Sequence, residues 1–127
     1  MEKQKKYDEW YLQSDYDLET ADYLLKSGRN IYCIFMCHLS LEKALKGLFT
    51  KRLNEVPPKV HDLVYFLDKL ELIPNKEDKE FLVWINRKSI TTRYTEDLRK
   101  MISQFSKEYT ENIYQKTKTI QQWIKSL

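Results

Sequence analysis

Three observations predict an all-α fold, an up-and-down bundle of four main helices plus a short fifth helix. Apolar residues recur at three- and four-residue steps through most of the chain, the period of a helix with one buried face. Only two glycines, Gly28 and Gly47, and three prolines, Pro57, Pro58 and Pro74, interrupt the 127 residues. That is too few turn residues for a many-stranded sandwich or barrel. A hydrophobic share of 42% beside 32% charged residues belongs to a chain that folds. Its length predicts a single domain over 1–127.

The first helix is expected from about Lys5 to Lys26, with Tyr7, Trp10, Tyr11, Ser14, Leu18, Ala21, Leu24 and Leu25 on one stripe and Gly28 ending it. Asn30 can cap the second helix, whose face is Ile34, His38, Leu41, Leu45 and Leu48, widened by Ile31, Phe35 and Phe49. Being apolar almost all round from Ile31 to Leu41, it is expected at the centre of the bundle. Pro57 and Pro58 break the pattern between Arg52 and Lys59. A short helix follows from about His61 to Leu70, closed by Pro74. Asn75, with Asp78 three residues later, opens a fourth helix carrying Phe81, Leu82, Trp84 and Ile85. The stretch Asn86 to Thr95 has no clear apolar period and reads as a loop. Helix returns from Thr95, as one segment or as two, and Ser106 can cap a final stretch through Tyr109, Ile113, Ile120, Trp123 and Ile124.

Composition excludes several function classes. Twenty-two Lys and Arg against nineteen Asp and Glu leave a net charge of +3, so a nucleic-acid site would have to be local. The segment Met1 to Lys6 has no apolar run behind it, so no secretory signal is expected, and Asn30 to Leu41 is too short to span a bilayer. A cytoplasmic protein is the expectation. Cys33 and Cys37, with only His38 and His61 to add, make a poor zinc set. No metal or cofactor is expected, and the cysteines read as small core residues.

The stretch Phe35 to Lys46 ends in Glu42-Lys43-Ala44-Leu45-Lys46, where Glu42 and Lys46 form an i,i+4 pair worth roughly 0.2–0.5 kcal/mol on an exposed helix. With Trp10, Ala21, Leu24 and Leu25 before it, the chain resembles the HEPN family. The resemblance extends through His61-Asp62-Leu63 with Leu67 and through Arg93-Tyr94 before the last helices. It departs at Thr95, where relatives often have proline, at Ser89, and at His38 and Leu39. The family implies a nucleotide- or RNA-binding protein, a homodimer, and a minimal nucleotidyltransferase as partner in a toxin–antitoxin-like pair. Its ribonuclease members carry an Arg and a His at a set short spacing. Here Arg29 to His38 and Arg52 to His61 each leave eight residues between, and Arg87, Arg93 and Arg99 have no histidine after them. That signature is absent.

The candidate ligand-binding residues are Arg93, Tyr94, His61, Lys46 and His38. Arg93 lies in a basic run with Arg87, Lys88, Arg99 and Lys100, opposed only by Glu96 and Asp97. A guanidinium there can grip a phosphate bidentately or pair with those acids. Tyr94 can stack on a base or pack. His38 is either a satisfied core histidine or a polar position facing a cleft, and His61 either holds the Pro57-Pro58 turn or contacts ligand. A metal-independent ribonuclease with an interface active site would use His61 and Arg93 as its catalytic pair, through tertiary contact rather than sequence spacing. A non-catalytic interaction module is the third reading.

Overall fold

The computed structural model describes residues 6–127; the segment Met1 to Lys5, including the expected start of the first helix at Lys5, lies outside the described residues. Six helices follow in order: α1 (Tyr7–Lys26), α2 (Asn30–Leu53), α3 (Leu63–Lys69), α4 (Lys76–Thr91), α5 (Leu98–Gln104) and α6 (Lys107–Ser126). Four are long and two are a pair of turns each. The segment beyond Thr95 is therefore two helices, and α5 is an addition to the expected four plus one. Among the described residues there is no strand, and no helix is long and apolar enough to cross a membrane.

Helix α2 is the axis of the bundle. Fifteen of its twenty-four residues are buried, and it packs against each of the other five helices. The stripe Ile34, His38, Leu41, Leu45 and Leu48 is wholly inside, joined by Leu63, Phe66 and Leu67 of α3, Leu82 and Ile85 of α4, and Ile120 and Ile124 of α6. Cys33 and Cys37 are fully buried free thiols within this core.

The caps explain the boundaries. Gly28 adopts φ 80°, which lets the Arg29 N–H reach back to the Leu24 carbonyl at 2.8 Å and close α1. Asn54 takes the left-handed conformation that ends α2. Asn75 and Ser106 accept from the backbone N–H groups of Asp78 and Tyr109, as expected. Two expectations fail. Asn30 does not cap α2, since its side-chain amide donates to the Phe105 carbonyl at 2.8 Å and ties α2 to the end of α5. Helix α3 begins at Leu63 rather than at His61, where Asp62 caps it, its carboxylate accepting from the Val64 N–H at 3.0 Å. The expected loop at Asn86 is also corrected, because α4 continues to Thr91.

Polar bonds stitch α1, α2 and α6. Ser14 Oγ donates to the Ser40 carbonyl at 2.6 Å, Ser40 Oγ donates to the Ser14 carbonyl at 2.8 Å, and Gln121 Nε2 donates to Ser14 Oγ at 3.1 Å. The α1–α2 contact is closest at Gly47. A Cβ there would sit 2.6 Å from Tyr11 Cε1 and 3.0 Å from the Trp10 Cβ. Gly47→Ala is thus expected to lose up to about 2 kcal/mol in urea unfolding, overpacking of about 1–3 kcal/mol being offset in part by a helix-propensity gain of about 1.

Candidate functional site

Polar and charged side chains from α2, the loop before α3, α4 and the segment that follows it come together around two histidines. Glu42, 3% exposed, receives the Lys46 ammonium at 3.0 Å. Lys46 lies 5.8 Å from the Trp10 ring centre and 6.0 Å from that of Phe66, so aromatic faces complete its surroundings. The motif's i,i+4 pair is therefore a buried ion pair, and Lys46 stands behind Glu42 instead of facing solvent. The His61 ring Nδ1 meets both Glu42 carboxylate oxygens at 3.1 Å. An ionised carboxylate can only accept, so Nδ1 carries the proton. In the neutral ring Nε2 is then an open acceptor, on a side chain 68% exposed.

His38 is the inner histidine, 1% exposed, with Nε2 3.1 Å from Asn86 Oδ1. Two neighbours fix the Asn86 amide: its Oδ1 accepts from the Leu63 N–H at 3.0 Å, and its Nδ2 donates to Asp62 Oδ1 at 2.8 Å. Its oxygen must therefore face His38, which makes Nε2 the protonated nitrogen of the neutral imidazole. Burial holds the His38 pKa below the ordinary value, the hydrogen bond to Asn86 and the Glu42 charge oppose this, and the charges of Arg93 and His61 add to it. All of these groups act on one imidazole.

This has a consequence for stability. The unfolded chain protonates His38 near the usual pKa of about 6.5, and the folded chain only at lower pH. Stability should fall as pH drops below about 6.5 and level off once the folded imidazole is protonated too. Urea unfolding at about pH 7.5 and about pH 5.5 tests this: His38→Gln is expected to flatten that part of the pH dependence.

Arg93 follows α4, with its guanidinium carbon 4.3 Å from the centre of the Phe35 ring. Neither Glu96 nor Asp97 pairs with it; Asp97 instead caps α5 by accepting from the Lys100 N–H at 3.0 Å. Among the described residues none of Arg87, Lys88, Arg93, Arg99 or Lys100 forms an ion pair. Tyr94 is 77% exposed. No group of three or more His, Cys, Asp or Glu suited to a metal exists among the described residues.

Glu42, Lys46, His38, His61 and Arg93 thus share one region. Asn86 and Phe35 join them as partners without a signal of their own in the sequence, whereas Asp62, a capping residue before an apolar run, had one. The profile of the HEPN domain matches residues 7–127. The chain belongs to the HEPN family. Among solved structures this HEPN chain is similar to ST0689, an archaeal HEPN homologue, with TM-score 0.75 and 19% identity over 96% of this chain and 97% of that one. It is also similar to TT1696 from Thermus thermophilus, with TM-score 0.76 and 18% identity over 94% and 96%. At such identities the likeness is one of HEPN fold. No curated protein sequence matches the chain.

Proposed function

We propose that this HEPN protein binds a nucleotide or RNA, as a homodimer that works beside a minimal nucleotidyltransferase in a toxin–antitoxin-like pair. The observation that carries the reading is Arg93: an exposed guanidinium backed by Phe35 and, among the described residues, left without a carboxylate. Such a group is oriented before a phosphate arrives and need not give up an ion pair to hold it. Four further cations, none in an ion pair among the described residues, surround it in sequence, and Tyr94 offers a face for a base. The dimer part of the reading is supported by α5, which buries none of its residues and leaves Leu98 57% and Ile102 55% exposed.

Thermal unfolding with ATP, GTP and short RNA tests the binding. A ligand at about 100 times its Kd adds about 2.7 kcal/mol to the native state. One of the three should raise Tm by several degrees, and Arg93→Ala should abolish the rise. No shift with any of them would leave the non-catalytic module as the better description.

The Glu42–His61 contact favours a second reading, a metal-independent ribonuclease. A histidine held through Nδ1 by a carboxylate presents Nε2 as a proton acceptor for a ribose hydroxyl, with Arg93 to steady the phosphate. Cleavage of labelled RNA by metal-free protein, lost in His61→Ala, would establish it over the binding-only reading.

A further inference from the structure

A groove of about 450 Å³ runs between α4 and α6, built from residues that the site above does not use. Its wall is a run of aromatic rings. Phe81 lies 6.0 Å from Trp84, and Trp84 meets Tyr109 edge-on at 6.2 Å; behind the wall the buried Phe105 stacks on Tyr109 at 5.8 Å. Its rim is acidic, with Glu77 and Glu80 at the mouth. The cation lining it, Lys116, is already held by Asp78 at 2.7 Å and Glu77 at 3.3 Å. Glu80 has no ion-pair partner among the described residues. Of the charged groups that line the groove, Glu77 and Glu80 against Lys116 leave an excess of one negative charge, that of Glu80, in a chain whose net charge is +3.

Aromatic faces and unpaired carboxylates attract the same kind of ligand. The ring quadrupole draws a cation to its face, and a carboxylate beside it supplies the counter-charge. The same potential repels a phosphate, which separates this groove from the basic region around Arg93. A planar guanidinium satisfies both features at once, stacking on a ring while its N–H fork meets a carboxylate. We propose that the α4–α6 groove docks an arginine-bearing segment of a partner protein, its guanidinium against Trp84 and Tyr109 and paired with Glu80. The site is independent of nucleotide or RNA binding.

The test is a titration of the full ¹⁵N-labelled chain with a capped Gly-Arg-Gly-Arg-Gly peptide, followed by NMR. Saturable shifts are expected at the Trp84 indole N–H and at the amides of Tyr109 and Asn112, with none from the citrulline peptide, which keeps the shape and lacks the charge. Glu80→Gln, a change at an exposed side chain, should weaken binding about threefold. Arg93→Ala should bind the peptide like the native chain. Three results would overturn the proposal: an equal response to citrulline, no saturable response, or the same resonances moving with AMP. So would shifts that grow with protein concentration alone, which would make a second copy the occupant.

Discussion

Replacing Glu42 by alanine is expected to cost about 3–5 kcal/mol, because it strands the Lys46 ammonium between the Trp10 and Phe66 rings with no counter-charge. On an exposed helix the same i,i+4 pair would be worth only a few tenths of a kcal/mol, roughly 0.2–0.5. Burial makes the difference, through the cost of the unpaired charge and not through unusual strength of the pair. The double variant Glu42→Leu/Lys46→Met should therefore recover most of the loss, since a buried pair can be replaced by apolar residues at little cost. Urea unfolding of the two singles and the double measures this directly. A Glu42→Ala loss of less than about 1 kcal/mol would mean that Lys46 swings into solvent and that the pair does not organise the site.

Asn86→Leu carries the second large effect, an expected loss of about 2–4 kcal/mol from two buried donors left without acceptors. The donors are the Leu63 N–H at the start of α3 and the Nε2–H of His38. Asn86→Asp distinguishes this account from a general packing defect. Combined with Asp62→Asn, so that an amide again meets a carboxylate at this 2.8 Å contact, it keeps an acceptor for both donors and sets a negative charge beside His38, so the His38 pKa should rise where burial now lowers it. An NMR titration of the ring protons reads that change. If the imidazole titrates unaltered in Asn86→Asp/Asp62→Asn, the assigned hydrogen bond is not the one that matters.

The bundle was legible because each long helix carries an apolar stripe, and the caps at Asn75 and Ser106 were legible because they act within one turn of chain. The second half of α4 was not. Its buried positions run Leu82, Ile85 and Ser89, continued by the C-cap Thr92, with Asn86 half-buried alongside, so the helical period persists while hydropathy falls away. A reading that weighs apolar residues sees a loop where polar residues face inward. The same cause hid part of the site. Glu42, Lys46, His61, His38 and Arg93 could be singled out by type and motif, whereas Asn86 gains its role from partners 23 and 48 positions away. Nor could spacing tell that Lys46 is buried and His61 open, because that depends on Trp10, Phe66 and the path of the loop between α2 and α3.

That loop, from Asn54 to Asp62, also determines what His61 offers a ligand. Loop side chains ordinarily surrender rotational freedom on binding, at about 0.5–1.5 kcal/mol for each one immobilised. His61 has already surrendered much of its own. Pro57 and Pro58 stiffen the approach, Asn86 tethers the adjoining Asp62 and Leu63, and Glu42 holds the ring from behind. A residue outside any helix is thereby placed with the definition of one inside, and its exposed nitrogen meets an incoming molecule at a reduced entropic penalty.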